Sequence, residues 1–342
     1  MRNESIGVEP PLAAPTRRWL PPFARAGWQR FAEHEQAFGF GVVYLVWGST
    51  YLAIRIAVES IPPFMLAAAR SLAAGLILLG WARLRGATSA TARDWQRATV
   101  AGLLMLAGGN GLVTWAETRV SSSLAALLIA LVPSYVTLLD WARPGGKRPT
   151  RAAWIGVAVG LLGMLLLVRP PPGTIAAGHW EGVAALGAAG FCWALGSLYA
   201  RYQPMHPSRA VAAGHQMIAG GAALTAVAAI QGELSAFDPS AVTPRSALAL
   251  AYLTVFGSLL AFSVFSWLAS VTTPARLSTT AYVNPLVAML LGALVLGERL
   301  HALSFAGALL IVAAVALMTR ATKDPRSTPP PAPRSPPASA SD

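Results

Sequence analysis

Long apolar stretches, separated by short polar or proline-containing connections, run through most of this chain of 342 residues. Ten of them approach the about 20 residues with which a helix crosses about 30 Å of hydrocarbon. Because a bilayer offers the backbone no hydrogen-bond partners, we predict that each stretch is a helix of an all-α integral membrane protein. The stretches run over 38–58, 64–84, 97–116, 121–141, 152–169, 180–201, 210–231, 246–269, 275–297 and 301–320.

The composition excludes a water-soluble globule. Only 12% of the residues are charged and 55% are hydrophobic, whereas soluble domains carry about 25% charged residues. The mean hydropathy is +0.53. The single cysteine, Cys192, lies inside an apolar stretch, so neither an intrachain disulfide nor a cysteine-rich metal site is expected. The sequence carries no cofactor motif, and we expect no cofactor.

The basic residues predict the orientation in the membrane. Of the 26 lysines and arginines, twenty fall in the two ends and in the connections on the same side of the membrane as the ends. Four fall on the other side, and Arg55 and Arg70 lie inside apolar stretches. Since basic residues concentrate on the cytoplasmic side, both termini are predicted to be cytoplasmic. The net charge of +12 therefore reports topology, and we expect the bilayer, not nucleic acid, as partner.

The two ends differ from the apolar region between them. Residues 1–37 are polar and lack the apolar stretch of a signal peptide, which predicts a cytoplasmic N-terminal tail. Residues 321–342 are rich in proline, serine and alanine and cannot bury a core. They are predicted to form a disordered cytoplasmic tail.

The apolar region contains a weak internal repeat at an offset of about 150 residues. GSTY at 48–51 aligns with GSLY at 196–199, and Pro133 aligns with Pro285. We therefore predict two repeats of five helices, at 38–170 and 180–320. Because five is odd, the second repeat enters the membrane from the opposite face. Inverted repeats of this kind are typical of alternating-access transporters.

Three stretches of the sequence resemble a known family: VWGSTYLAIRIAVESIPP, AGGNGLVTWAE and TTAYVNPLVAMLLGALVLGERL. Together with the five-plus-five arrangement they are similar to the EamA family of the drug/metabolite transporter superfamily, in particular its YedA-like bacterial branch. The resemblance covers 38–320. It implies a ten-helix protein of the bacterial inner membrane that carries small metabolites, often amino acids or related compounds, usually outward. The family's Gly-Glu pair after the fourth helix of a repeat is present as Gly297-Glu298, but the first repeat has Gly146-Lys147.

Arg70 is the most informative polar residue inside the membrane, where a charge costs about 3 kcal/mol at mid-bilayer. One interpretation is an ion pair with Glu117 or Glu59 that joins helices. The other is that Arg70 faces a cavity and binds a substrate carboxylate, to which its planar fork is suited.

Further polar and aromatic side chains recur at helical spacing. Trp47 and Tyr51 form a stripe with Arg55, and Asn110, Thr114 and Glu117 share one face. We predict that such faces point into the bundle, where they either bind substrate or pack against neighbouring helices. The residues predicted to line a substrate cavity between the repeats are Trp47, Tyr51, Arg70, Asn110, Thr114, Glu117, Trp193, Tyr199, Tyr282 and Asn284.

Two acid–base candidates and two prolines complete the predicted site. Glu117 and His215 are candidates for proton coupling, although a lone histidine is more often a packing residue. Pro133 and Pro285 are predicted to break the fourth and ninth helices, and paired broken helices are a pointer to a transporter's central site. The glycines at 156, 160 and 163 form either a homodimer face or a packing face within the chain.

The sequence favours a transporter over other classes of membrane protein. It contains no motif for a hydrolase, a metalloprotease or a nucleotide-binding enzyme, so no enzymatic activity is expected. We predict a secondary transporter of small metabolites, most consistent with an exporter of amino acids or related compounds. The alternative is a membrane sensor or lipid-handling protein on the same scaffold.

Overall fold

The structure is a computed structural model that describes residues 22–146, 148–168, 178–272, 280–298 and 302–321. Within these ranges the regular elements are helices, which confirms the predicted all-helical class. Two short segments, Glu233–Ala236 and Pro239–Ala241, lie between the seventh and eighth long helices. The long helices are α1 (Pro22–Ala57), α2 (Pro63–Leu84), α3 (Ala92–Gly102, Leu103–Gly111 and Leu112–Ala116), α4 (Ser122–Ile129 and Val132–Ala142), α5 (Arg151–Val168), α6 (His179–Tyr202), α7 (Arg209–Ile230), α8 (Pro244–Tyr252, Leu253–Leu260 and Ala261–Val271), α9 (Thr280–Leu296) and α10 (Ala302–Ala321).

Seven of these helices are long and apolar enough to cross a membrane: α1 to α4 and α6 to α8. Three shorter apolar helices lie at Arg151–Leu166, Val283–Leu296 and Phe305–Ala314, within α5, α9 and α10. Each stretch predicted from the sequence coincides with one of the ten helices. That all ten cross the membrane stays a prediction.

The first helix is longer than its apolar stretch, because it begins at Pro22 and continues to Ala57 without interruption. The residues between 22 and 37 are mostly good helix formers and include no internal proline, so nothing in the sequence stops the helix there. The predicted N-terminal tail is therefore helical in its second half. Residues 1–21 and 322–342 lie outside the described residues.

Helix ends meet at two faces of the bundle, which we call the outer end and the inner end after the predicted orientation. The outer end holds the last residues of α1 and α3 and the first residues of α2 and α4. The second half of the chain meets it there, because the hydroxyl of Ser246 at the start of α8 donates to the carbonyl of Ile56, at 3.0 Å. The start of α6 lies beside the end of α3, with Gly182 against Val120.

Glycines allow two helix pairs to pack closely. A methyl group added to Gly75 of α2 would lie 3.0 Å from the carbonyl oxygen of Gly214 on α7. One added to Gly163 of α5 would lie 2.8 Å from the carbonyl oxygen of Gly307 on α10. Gly163, one of the three glycines of α5, thus packs against its own chain, and a homodimer stays a prediction.

The largest core cluster lies where the two halves of the chain meet. It includes Leu127 of α4, Leu186 of α6 and Leu253 of α8, each at most 1% exposed. Ile54 of α1 and Ile311 of α10 belong to the same cluster. Burial of these side chains holds α1 and α4 against α6 and α8, and this contact positions the polar residues described next.

The two prolines predicted to break helices behave differently. The regular helix of α4 ends at Ile129 and resumes at Val132, immediately before Pro133. Helix α9, in contrast, is continuous from Thr280 to Leu296 with Pro285 inside it. The expected break at Pro285 is therefore absent. Pro285 lies near the start of its helix, and its missing N–H removes one hydrogen bond without ending the helix.

Candidate functional site

Trp47 joins α1 to α8 near the middle of the bundle. Its indole Nε1 donates a hydrogen bond to the carbonyl oxygen of Gly257, at 3.2 Å. Its ring centre lies 4.7 Å from that of Phe265, also on α8. One turn further along α1, Tyr51 is half-buried and packs against the central core. The aromatic stripe predicted on α1 therefore faces into the protein.

Arg70 of α2 points at α8, where its Nε donates to the hydroxyl of Ser258 at 2.8 Å. Among the described residues no carboxylate lies within ion-pair distance of Arg70, so the predicted ion pair with Glu117 or Glu59 is not formed. Glu59 instead lies 3.8 Å from Arg245 at the outer end. Glu59 does not reach Arg70, because it is exposed in the connection between α1 and α2. Arg70 thus retains guanidinium donors that can bind an anionic ligand.

Helices α3 and α8 each contain a segment of widened helical turns. Leu103–Gly111 in α3 and Leu253–Leu260 in α8 form π-helical segments, and each sits in the third helix of its predicted repeat. Asn110 lies in the first segment and Ser258 in the second. Such segments are rare and are frequently found at functional sites. The sequence does not reveal these segments, because an apolar stretch has the same composition in a π turn as in an α turn.

Trp193 of α6 packs directly on the π segment of α3. A methyl group added to Gly109 would lie 2.9 Å from the Cε3 atom of Trp193. The indole therefore fills the space that a side chain would take. Tyr199 is half-buried on the same helix, but at six residues from Trp193 it faces a different side of α6.

The polar face predicted on α3 is buried. The Thr114 hydroxyl donates to the carbonyl oxygen of Asn110 at 2.8 Å, and its side chain is 2% exposed. Glu117 is fully buried, and neither carboxylate oxygen has a hydrogen-bond partner in the described part of the chain. Arg55 of α1 donates to the backbone carbonyl of Glu117 instead. Arg70 lies close enough to Glu117 for the two charges to interact.

Asn284 of α9 lies beside α1. The Oδ1 atom of Asn284 is buried and has no hydrogen-bond partner among the described residues. The backbone of Asn284 lies against α1, since a methyl group added to Gly48 would be 3.1 Å from its carbonyl oxygen. Tyr282 belongs to the same helix, but its side chain lies outside the described residues.

His215 is separated from these residues. It is buried on α7 and its ring lies 3.9 Å from that of Trp95, between ring centres. Trp95 is in the first turn of α3, whereas Glu117 follows the last turn, about 30 Å further along the helix. The structure therefore does not bring the two candidates for proton coupling together.

Glu298 contacts the start of α4 at the outer end. From its place at the outer end of the ninth apolar stretch, Glu298 is predicted to pair with Arg299 or with a helix end. In the structure Glu298 accepts hydrogen bonds from Ser122 and Ser123 at the start of α4. The signal in the sequence is the pair of serines that precede an apolar stretch, a pattern typical of a helix start.

Sequence comparison identifies the family. Two segments of the chain, residues 37–169 and 180–320, match the EamA-like transporter family. The chain belongs to this family. The boundaries of the two matched segments fall close to those of the predicted repeats.

Relatives of this EamA-like transporter are themselves named as transporters. The inner membrane transporter YedA of Escherichia coli is 38% identical over 292 residues, which cover 85% of this chain and 92% of YedA. A probable terminal-alkyne amino-acid exporter of Streptantibioticus cattleyicolor is 27% identical over 286 residues, which cover 81% of this chain and 91% of that protein. This chain is accordingly a multi-pass inner-membrane transporter.

The fold has a counterpart among solved structures. A crystal structure matches this EamA-like chain with a TM-score of 0.58 and 22% sequence identity. The match covers 85% of this chain and 99% of the other. At this identity the likeness concerns the fold alone.

Proposed function

We propose that this transporter exports amino acids or related small metabolites by alternating access between two inverted repeats. In this proposal ten helices cross the inner membrane and both termini are cytoplasmic. The chain acts as a carrier and carries out no covalent chemistry. The substrate binds between the repeats, near the two π segments.

Helix directions support inverted repeats. Helix α1 ends at the outer end, whereas α6, its counterpart in the second repeat, begins beside the end of α3. Likewise α2 begins where α7 ends, since the backbone amide of Met65 in α2 donates to Glu233 just after α7, at 2.9 Å. The two π segments, separated by about 150 residues like the sequence repeat, and the two matched family segments agree with this division.

The observation that carries the substrate proposal is the position of Arg70. An arginine inside the membrane that bonds to a hydroxyl instead of a carboxylate keeps donors for an anion. A substrate carboxylate fits this requirement. Trp47 and Trp193 supply apolar walls nearby, and the unpaired Asn284 Oδ1 supplies an acceptor for a polar substrate group. The name of the amino-acid exporter from Streptantibioticus is consistent with this class.

For proton coupling, we propose Glu117 and not His215 as the residue that binds the proton. Glu117 is buried close to Arg70, whereas His215 packs on Trp95 towards the inner end. A buried carboxylate without a hydrogen-bond partner is costly when ionised, and binding a proton relieves that cost.

Efflux from proteoliposomes tests the proposal. Proteoliposomes are loaded with a panel of labelled amino acids and small metabolites. Their efflux is compared with that from loaded liposomes without protein, with and without a pH gradient. We expect protein-dependent efflux of at least one compound with a carboxylate. Arg70→Ala should reduce its rate about 10- to 100-fold, as for the loss of hydrogen bonds to a charged group.

Arg245→Ala is the matched control, because Arg245 is exposed and its ion pair with Glu59 lies away from the site. It should leave efflux within twofold of the unmodified protein. Normal efflux by a correctly inserted Arg70→Ala variant would remove Arg70 from the site. If folded protein releases none of the compounds, the sensor or lipid-handling alternative gains support.

A further inference from the structure

Glu298 joins the two halves of the chain through four hydrogen bonds to the start of α4. Its Oε1 accepts from the backbone amide and from the hydroxyl of Ser122, both at 2.8 Å. Its Oε2 accepts from the amide of Ser123 at 3.2 Å and from the Ser123 hydroxyl. The carboxylate therefore caps the start of α4, where unpaired amides and the helix dipole favour a negative charge.

The local backbone holds Glu298 in this place. Gly297 has a φ of +65°, in the left-handed region that favours glycine, and ends α9. The amide of Glu298 then donates to the carbonyl of Gly292, six residues earlier, at 3.1 Å, and this bond closes the end of α9. Gly292 also gives α4 room, since a methyl group there would lie 2.9 Å from the Ser123 hydroxyl oxygen.

This contact joins α9 to only one half of α4. The outer part of α4, Ser122–Ile129, packs on α9, α6 and α1. The inner part, Val132–Ala142, packs mainly on α5, α6 and α10, and the helix is interrupted between the parts. In the described residues α4 and α9 are thus held together mainly at the outer end.

A second carboxylate at the outer end provides the contrast. Glu233 accepts from the backbone amides of Phe64 and Met65 at the start of α2, at 3.3 and 2.9 Å. It joins α7 to α2, but these helices also touch along their length, at Gly221 against Leu72 and at Gly214 against Leu79. Releasing Glu233 would therefore leave its two helices together.

Two polar contacts at the inner end join α3 and α4 to α6. The Tyr202 hydroxyl donates to Asp140 at 2.6 Å, and Arg97 donates to the carbonyl of Pro204 at 2.9 Å. Both contacts link α3 or α4 to the end of α6, on which these helices already pack. Neither contact joins α4 to α9, whereas Glu298 does so at the outer end.

We infer that Glu298 is a latch of the outer end: it holds the start of α4 while the transporter is closed to the outside, and it releases Ser122 and Ser123 when that end opens. The inference rests on the proposed alternating-access cycle. It assigns the Gly297-Glu298 pair a role in opening the transporter and none in contacting the substrate.

Cysteine accessibility tests the latch without requiring a substrate. Thr114, which is 2% exposed and lies in the last turn of α3, is replaced by cysteine in a Cys192→Ser background. The labelling rate by a membrane-impermeant maleimide is then measured in intact cells and in inside-out vesicles. With Glu298→Gln we expect labelling from the outside to become about tenfold faster, the effect of losing one charged hydrogen bond, with no change from the inside.

Glu233→Gln is the matched control and should leave the labelling rate unchanged. If Glu298→Gln does not insert into the membrane, the double variant Ser122→Ala and Ser123→Ala removes the hydroxyl donors and serves the same purpose. An unchanged rate in a folded latch variant, or an equal increase in Glu233→Gln, would overturn the inference. The result is independent of the efflux assay, so failure of the substrate proposal and failure of the latch are distinguishable.

Discussion

Residue scale: Glu117 has a fully buried carboxylate, and neither oxygen has a hydrogen-bond partner in the described ranges. Helical spacing predicted that it faces into the bundle with Asn110 and Thr114. Spacing could not predict that Arg55 would bond to its backbone carbonyl, or that Arg70 would bond to Ser258. Hydrogen bonds between helices depend on how the helices pack, and the spacing of residues along one helix does not specify that packing.

Replacing Glu117 by glutamine tests its proposed proton coupling. The amide keeps the shape of the side chain but does not titrate in the physiological range, so stimulation of efflux by a pH gradient should be lost. Exchange without a gradient should stay within a few-fold, because the substrate site is retained. The assay is labelled-substrate exchange in proteoliposomes at several pH values.

Glu59→Gln serves as control, because Glu59 is half exposed at the outer end and pairs with Arg245. It should keep the gradient response. A Glu117→Gln protein that still responds to the gradient would show that the coupling proton binds elsewhere.

Element scale: the apolar periodicity located the ten helices but not their internal irregularities. The π segments of α3 and α8 and the continuous course of α9 through Pro285 became visible only in the structure. A π turn and an α turn can have the same composition, so the choice depends on what packs against the turn. In α3 that partner is α6, with Trp193 on Gly109.

Gly109→Ala should disturb this packing. The added methyl group would lie 2.9 Å from Trp193 Cε3, closer than side chains normally approach, so the indole or the helix must shift. Overpacking of this kind costs about 1–3 kcal/mol. We expect a lower midpoint of thermal unfolding in detergent and slower efflux.

Gly80→Ala is the control for helix propensity, because nothing lies within 4 Å of the added methyl group. It should raise stability slightly, by about 0.5–1 kcal/mol, since alanine favours a helix over glycine. Equal behaviour of the two variants would argue against a packing role for Gly109.

Whole-molecule scale: inverted repeats place corresponding connections on opposite faces of the membrane. The connection after α2 contains exposed Ser89, and the connection after α7 contains exposed Ser235. In a Cys192→Ser background, Ser235→Cys should be labelled by an impermeant maleimide in intact cells. Ser89→Cys should be labelled only after the membrane is permeabilised. Labelling of both positions from one side would contradict the inversion.

Sequence patterns were enough to predict the helical class, the location of the helices and the candidate polar residues. They were enough because apolar length, charge bias and helical spacing are local properties. Three features required the folded structure: Arg70 binds Ser258, Glu117 stays without a hydrogen-bond partner among the described residues, and Glu298 caps α4. The contacts of Arg70 and Glu298 join residues more than a hundred positions apart, and the packing of whole helices selects such contacts.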